Sequence, residues 1–366
     1  MGKAKVHFTD LRVSGKNVLD KMEGMLESAG LYDIDFKDKF VALKIHFGEP
    51  GNLSYLRPNY AARVARLVQA RGGRPFLTDS NTLYKGRRSN AVDHLRAASE
   101  NGFNLLSTGC EVIIADGLRG ADFREIDIGL KHVKKAKIGA AIAEADVVLS
   151  LTHFKGHELT GFGGAIKNLG MGSGSVGGKL EMHSDSKPVI NRGNCVGCGA
   201  CVRNCPRSAI VLDGERKAVI DYGKCVGCGQ CIAMCRYDAA SPTWNAVSAQ
   251  EKIAEYAYAV VKGKPSFHLS FVMNVSPDCD CWGHNDAAIV PDIGILASRD
   301  PVAIDRAALD LVNAAPRNPE SAAAKGDGGT GDIFQAAHPG VDGKLGLAYA
   351  ESIGLGTQEY ELVKAL

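Results

Sequence analysis

Apolar runs alternate with stretches of helical periodicity along most of the chain. Runs of about four to eight apolar residues indicate buried strands, whereas apolar residues that recur every third or fourth position indicate helices. Before residue 188, the pattern predicts strands over 6–8, 41–47, 75–78, 112–115 and 147–152, and helices over 18–29, 59–70, 91–98 and 137–145. After residue 240, it predicts a helix over 248–262, a strand over 267–275 and a helix over 300–314. This alternation predicts an α/β fold with a largely parallel sheet and helices on both faces.

A duplicated cysteine pattern interrupts the alternation. The spacing C-x2-C-x2-C-x3-C joins one run of four cysteines and recurs thirty residues later in a second run. The runs are Cys195, Cys198, Cys201 and Cys205, and Cys225, Cys228, Cys231 and Cys235. Such runs are typical of bacterial-type ferredoxins that hold two [4Fe–4S] clusters. We therefore predict an inserted two-cluster ferredoxin-like module over 188–240, with the α/β domain divided between 1–187 and 241–366.

The fourth cysteine of each run in such a ferredoxin binds the cluster of the other run. The predicted ligands are Cys195, Cys198, Cys201 and Cys235 for one cluster, and Cys225, Cys228, Cys231 and Cys205 for the other. A pair of zinc sites is the alternative. The equal spacings and the Pro206 that follows Cys205 disfavour it. Arg236 rather than proline follows Cys235, which alters a turn but removes no ligand.

The charges of the whole chain are nearly balanced, with a formal net charge of +2. This balance gives no reason to expect binding to nucleic acid or membranes. No apolar run resembles a signal peptide or is long enough to span a bilayer, so we expect a cytoplasmic protein. Residues 188–240 contain seven Arg or Lys and four Asp or Glu. That excess suits docking of an electron-donor or acceptor protein such as an acidic ferredoxin, although a solvated mixed surface explains it equally well.

Polar side chains cluster after several of the predicted strands. Parallel strands end at a common edge of a sheet, so these side chains are expected to share a pocket for an unknown small-molecule substrate. The candidates are Lys44, His46, Asp79, His153, His157, Lys167, Cys279 and Cys281. Simpler roles stay open for several of these residues. Asp79 could cap a turn, and Lys167 could be a surface lysine. His153 or His157 could be a core histidine whose hydrogen bonds are satisfied. Neither a dinucleotide fingerprint nor a P-loop is present, so any second cofactor or metal is unidentified.

The C-x-C pair of Cys279 and Cys281 is flanked by acids, and His284 follows three residues later. This grouping is typical of a soft-metal site, and the two thiols are too close in sequence for a comfortable mutual disulfide. We predict a metal-ligating or redox role, with simple packing as the alternative. Cys110 is predicted to be a buried small residue, and Asp300, followed by Pro301, is predicted to cap a helix.

A glycine-rich stretch over 161–178 is open to two interpretations. A loop of this composition could approach a phosphate or cofactor closely. It could equally be a flexible connector that leads into the cysteine-rich region.

Four segments together resemble a known family. They are T-H-F-K-G-H at 152–157, G-F-G-G-A-I-K-N-L-G-M-G at 161–172, D-C-D-C at 278–281 and P-D-I-G-I-L-A-S-R-D-P-V-A-I-D at 291–305. The chain is similar to the iron–sulfur-centre proteins of the domain of unknown function 362 family. The resemblance implies an α/β domain with an inserted two-cluster ferredoxin. It implies no reaction and no catalytic residues.

The sequence therefore favours an iron–sulfur oxidoreductase. In this interpretation, electrons pass from two [4Fe–4S] clusters to a substrate or second cofactor at the strand ends. The alternative is a non-enzymatic electron carrier, or an accessory or maturation factor for another metalloenzyme. A third hypothesis is that the clusters are only structural, which two adjacent clusters disfavour.

Overall fold

The computed structural model describes residues 2–13, 15–83, 86–183, 187–225, 231, 234–237, 239–242, 246–326 and 328–365. The strands are β1 (Ala4–Asp10), β2 (Phe40–Ile45), β3 (Arg74–Asp79), β4 (Glu111–Ile114), β5 (Phe123–Asp127), β6 (Lys135–Gly139), β7 (Val147–His153), β8 (Lys155–His157), β9 (Gly161–Gly163), β10 (Pro188–Ile190), β11 (Ile210–Leu212), β12 (Ala218–Ile220), β13 (Ala240–Pro242), β14 (Ser266–Val272), β15 (Gly294–Ser298) and β16 (Tyr360–Lys364).

The helices of the described residues include several long, amphipathic ones and several single turns. They are α1 (Val18–Ser28), α2 (Pro58–Gln69), α3 (Ala91–Glu100), α4 (Leu105–Thr108), α5 (Ala140–Glu144), α6 (Ala165–Ser173), α7 (Val176–His183), α8 (Ala200–Arg203), α9 (Ala246–Val261), α10 (Pro301–Ala314), α11 (Phe334–Ala337) and α12 (Lys344–Ser352), with 3-10 turns at Leu31–Asp33 and Ala322–Lys325. None of the helices in this described part of the chain is long and apolar enough to cross a membrane.

Eight strands form the central sheet, in the order β16-β1-β15-β14-β7-β2-β3-β4. Five of the seven neighbouring pairs are parallel. The two antiparallel pairs both involve β15. The predicted α/β fold with a largely parallel sheet is therefore confirmed.

Side chains of the sheet alternate between two cores, one on each face. On β2, Val41, Leu43 and Ile45 pack into the core that contains Met22 of α1. Ala42 points the opposite way, into the core built with α6, α9 and α10. Helices thus cover both faces, which explains why the central strands read as nearly continuous apolar runs.

Two regions differ from the sequence-based prediction. The helix predicted over 137–145 is wrong, because β6 occupies its first part and only the short α5 follows. In β6, Ala136 and Ile138 are buried while Lys135 is exposed, which is the period of a strand. The glycine-rich stretch forms β9, α6 and the start of α7 rather than a loop. There, Gly170 lets the backbone of α9 approach, since an added Cβ would lie 2.1 Å from the carbonyl oxygen of Ile253.

A third, small core lies within residues 188–240, here called the cysteine-rich segment. Its buried members include Ile210, Ala218 and Ile220, which pack with Cys195 and Cys231. It is separate from the two cores of the sheet. The domain boundaries predicted from the sequence remain a prediction.

Candidate functional site

A cavity lies at the carboxyl edge of the parallel strands. It encloses about 1220 Å³ of space between atoms, part of which is open to solvent. Strands β2, β3, β7 and β14 run in the same direction, so the segments that follow them meet at this edge. All eight candidates line the cavity: Lys44, His46, Asp79, His153, His157, Lys167, Cys279 and Cys281.

Lys44 and Asp79 form a buried ion pair at the ends of β2 and β3. The Nζ of Lys44 lies 3.0 Å from Oδ1 of Asp79 and donates to Oδ1 of Asn168 at 2.8 Å. Burial lowers the pKa of Lys44, and Asp79 partly opposes that effect. Burial would raise the pKa of Asp79, but the charge of Lys44 holds it well below its usual range. Both groups stay charged because each stabilises the other, and Asn168 ties the pair to α6.

His153 holds the C-x-C loop against β7. Its Nδ1 lies 2.8 and 2.9 Å from the two carboxylate oxygens of Asp280, the residue between the two cysteines. Its Nε2 lies 3.0 Å from the carbonyl oxygen of Met273 and 3.2 Å from that of Asn274. Both ring nitrogens therefore face oxygen atoms of the segment that carries the two cysteines. His153 is a positioning residue for Cys279 and Cys281.

His46 is held through both of its ring nitrogens. Its Nδ1 faces the backbone N–H of Gly48 at 3.1 Å, and its Nε2 faces Nη1 of Arg88 at 2.9 Å. Burial and the charge of Arg88 lower the pKa of His46 to about 3. The ring is neutral, and it supports Arg88, which also donates from Nε to Glu49 at 2.8 Å.

Cys279 and Cys281 form a hydrogen-bonded thiol pair beside His157 and Lys167. One ring nitrogen of His157 and the two sulfurs all lie within 4.8 Å of one another. The hydrogen bond from Cys281 holds the pKa of Cys279 well below its ordinary value, against the effect of burial, and Lys167 adds to the lowering. The Nζ of Lys167 is 3.8 Å from Sγ of Cys279. The pKa of Cys281 is raised by the same hydrogen bond and by burial. The surroundings therefore favour the anionic form of Cys279 rather than that of Cys281.

These three side chains fit a soft metal ion by their chemistry. Two sulfurs and an imidazole are the donor set that zinc and similar metals take, with further positions left for a substrate. The Nδ1 of His157 accepts the backbone N–H groups of Leu159 at 3.0 Å and Thr160 at 3.2 Å. Its Nε2 is then the nitrogen left for a ligand, and it carries the proton of the neutral ring when no metal is bound. A metal would displace that proton.

Glu158 is a site residue that the sequence analysis missed. Burial and the charge of Cys279 raise the pKa of Glu158 to about 7. Its Oε2 is buried without a hydrogen-bond partner among the described residues. The cavity also takes Arg88, Lys179 and His183 from segments that do not follow a strand. Of these four residues, only Glu158 could have been predicted from the sequence, because it directly follows the polar residues that end at His157.

The cysteine-rich segment is built from two equivalent halves. β10 pairs with β13 and β11 pairs with β12, both antiparallel. Adding thirty to the residue numbers of β10 gives β12, and subtracting thirty from those of β13 gives β11, in the same register: Ile190 pairs with Ala240, and Ile220 pairs with Ile210. The duplication seen in the cysteine spacing therefore extends to the backbone.

A small cavity in this segment is lined by four cysteines, which are the predicted ligands of one cluster: Cys195, Cys198, Cys201 and Cys235. Backbone N–H groups point at two of the sulfurs. Ala218 N lies 3.4 Å from Sγ of Cys195, and Ala239 N lies 3.3 Å from Sγ of Cys235. N–H donors to thiolates are among the features that tune an iron–sulfur cluster, so these residues fit a cubane cluster.

The second predicted ligand set is described in part. Cys205, Cys225 and Cys231 belong to the same small core. Ala209 N lies 3.2 Å from Sγ of Cys205, which repeats the contact of Ala239 with Cys235 after thirty residues. Cys228, the remaining predicted ligand, lies outside the described residues.

Comparison with known families assigns the chain to a family. The family described as "Domain of unknown function (DUF362)" matches residues 41–310, close to three quarters of the chain. The chain belongs to the DUF362 family. The matched range contains the whole set of eight cavity candidates and both cysteine runs.

One relative and one solved structure are similar to parts of this DUF362 chain. It is 30% identical over 145 residues to the thylakoid-associated protein sll1697 of Synechocystis sp.. That match covers 39% of this chain and 40% of the relative, so the chain spans well under half of the relative's length. Its structure matches the lactate racemase apoprotein of Thermoanaerobacterium thermosaccharolyticum with a TM-score of 0.34 and 13% identity, over 72% of this chain and 46% of that one.

Gly156 lies next to the site at a position with no room for a side chain. A Cβ there would lie 1.8 Å from the carbonyl oxygen of Pro277, two residues before Cys279. We expect Gly156→Ala to lower the free energy of unfolding by about 3 kcal/mol or more, because a backbone atom must move. Denaturant titration of the purified protein measures this change in the free energy of unfolding.

The matched control for this substitution is Gly177→Ala on α7. The nearest atom to a Cβ there is 3.7 Å away, so the free energy of unfolding should stay unchanged or rise by up to about 1 kcal/mol. Equal stability of the two variants would show that the chain at Pro277 is free to shift.

Proposed function

We propose that this DUF362 chain is an iron–sulfur oxidoreductase. Two [4Fe–4S] clusters on the cysteine-rich segment would supply single electrons, and a substrate in the cavity at the strand ends would exchange them. The observation that carries the proposal is the small cavity lined by Cys195, Cys198, Cys201 and Cys235. Those four come from both runs, as crossed ligation of two cubanes requires.

A short stretch of chain links the cysteine-rich segment to the cavity. His183, the last residue of α7, lines the cavity. Lys187, four residues later, contacts the cysteine-rich segment, because its Nζ donates to the carbonyl oxygen of Tyr222 at 3.0 Å. Four residues span at most about 14 Å. On the other side, the chain leaves the segment into α9, which packs against α6, the helix that carries Lys167.

The cavity offers side chains suited to redox chemistry. Cys279 supplies a thiolate that Cys281 and Lys167 stabilise. Glu158, beside it, has a carboxyl group that can hold or release a proton near neutral pH. A soft metal or second cofactor bound to His157, Cys279 and Cys281 would polarise a substrate or relay electrons there. A reaction that needs two electrons would draw on both clusters or on repeated docking of a donor.

The surface of the cysteine-rich segment suits the binding of an acidic electron donor. Arg192 is neutralised by Asp213 and Glu215, at 2.6 and 2.9 Å. Exposed Arg207 and Arg216 have no carboxylate partner among the described residues. Positive charge that remains unpaired on a surface speeds the approach of an acidic partner.

The competing proposal is a non-enzymatic role. The separate small core of the cysteine-rich segment favours an electron carrier or accessory factor, because such a unit can dock to a partner on its own. Turnover separates the two roles. An oxidoreductase consumes substrate with a chemical reductant alone, whereas a carrier acts only when its partner protein is present.

The direct test of the cluster proposal is metal and sulfide analysis. After anaerobic purification or reconstitution, we expect about eight iron and about eight acid-labile sulfide per chain, because two cubanes require them. Reduction with dithionite should bleach the visible absorbance. Iron near four per chain in a fully reconstituted sample would contradict two clusters, and zinc without sulfide would contradict the iron–sulfur assignment.

A further inference from the structure

Two lysines on the helical wall of the cavity make no close contact with a carboxylate in the part of the chain that the structure describes. Lys167 lies on α6 and Lys179 on α7, and both line the cavity. Among the described residues, no carboxylate oxygen comes within 4.0 Å of either ammonium group. The closest partners are Sγ of Cys279, 3.8 Å from Lys167, and the carbonyl oxygen of Gly174, 2.6 Å from Lys179.

The other cations of the cavity are paired. Lys44 lies 3.0 Å from Asp79, and Arg88 donates to Glu49 at 2.8 Å. Lys155 lies 3.9 Å from Asp280. These three positive charges are compensated within the protein, so the excess positive charge of the cavity is concentrated on the α6–α7 wall.

Lys167, whose nearest partner is Sγ of Cys279, and Lys179 line the same cavity as His183. His183, one turn after Lys179 on α7, has its pKa lowered to about 4 by burial, by Lys167 and by Lys179. Lys179 is 6% exposed. A buried ammonium group without a counter-ion is unfavourable for the folded state. A negative group placed between these side chains would relieve that cost and would be held strongly.

We propose that the α6–α7 wall binds an oxyanion of the substrate, a carboxylate or a phosphate, beside Cys279. This inference rests on the proposed function in one respect, which is that the cavity is the substrate site. The anionic group would be fixed by Lys167 and Lys179 at one end of the ligand. The rest of the ligand would then extend along the strand ends towards His157 and the thiol pair.

Titration of the full-length, cluster-loaded protein with inorganic phosphate and, separately, with acetate tests this proposal. Isothermal titration calorimetry at constant ionic strength should show saturable binding of at least one of them. Lys167→Met and Lys179→Met should each weaken that binding about tenfold or more, because each removes a charge-assisted contact. The control Lys135→Met removes an exposed lysine of β6, 3.6 Å from Glu125, and should leave the affinity unchanged. Preference for phosphate or for acetate identifies the class of anion.

The melting temperatures of the variants show whether a loss of anion binding reflects misfolding. Lys179→Met removes a buried charge that Asp116 and Asp79 compensate only in part, so the melting temperature of the anion-free protein should stay close to that of the wild type. Lys179→Arg, which keeps the charge, should retain more affinity than Lys179→Met. Absence of saturable binding for both anions, or wild-type affinity in both methionine variants, overturns the proposal. Anion binding needs no electrons, so a protein that binds the anion but lacks clusters would refute only the proposed redox function.

Discussion

Cys235→Ala is expected to remove the cluster whose other ligands are Cys195, Cys198 and Cys201, and to spare its neighbour. Cys235 is forty residues from Cys195 in sequence, yet it lines the same small cavity. Cys205→Ala should have the reverse effect, because Cys205 is the predicted fourth ligand of the second cluster. Each variant should fall from about eight to about four iron per chain.

Electron paramagnetic resonance of the reduced protein distinguishes the two outcomes. Two neighbouring reduced clusters broaden each other's signals through magnetic coupling, and each variant should give the simpler spectrum of a single cluster. The spectra of the two variants should differ, since different clusters survive. The matched control is Cys110→Ala, because Cys110 is buried near β3 and donates to the carbonyl oxygen of Pro75, away from both runs. Identical residual spectra in the two variants would contradict crossed ligation.

Convergence of the cavity residues followed from topology and could be predicted. Lys44, Asp79 and His153 each stand at or near the end of a strand that belongs to one parallel set. Parallel strands present these ends on one edge whatever the order of strands within the sheet. The segment that carries Cys279 follows β14, which joins the same set through β7.

The roles of those residues could not be predicted in the same way. His153 is 127 residues from Asp280, and only the folded chain shows that both nitrogens of His153 are occupied. Arg88 and Lys179 enter the cavity from a loop and a helix face, where neither spacing nor neighbouring residues distinguish them from surface cations. Long-range pairing decides whether a polar side chain supports the site or faces the ligand.

The glycine-rich stretch shows why composition alone did not predict the local structure. Its glycines were consistent with a ligand loop, but Gly170 and Gly172 lie in a helix that packs closely on its neighbours. A Cβ at Gly172 would lie 2.4 Å from Nζ of Lys44. The glycines thus bring α6 close to the end of β2, and the consequence for the site is that Asn168 and Lys167 reach the cavity.

Cys279→Ala is expected to lower the affinity of the cavity for a soft divalent metal by about a hundredfold or more, since it removes one of three ligands. Co²⁺ is a suitable probe because its thiolate complexes absorb in the near ultraviolet and visible range. The titration uses cluster-loaded protein, in which the cysteines of the other site are already occupied. Cys110→Ala is the control and should bind Co²⁺ as the wild type does.

His153→Ala should weaken the same Co²⁺ complex by about tenfold to a hundredfold although His153 is no ligand. Its contact with Asp280 fixes the residue between the two cysteines, and without it the sulfurs are no longer held within 4.8 Å of His157. A Co²⁺ spectrum that is unchanged in Cys279→Ala would contradict a metal at this group. The proton on Nε2 of His157 would then stay in place, and the pair would act through the Cys279 thiolate that Lys167 stabilises.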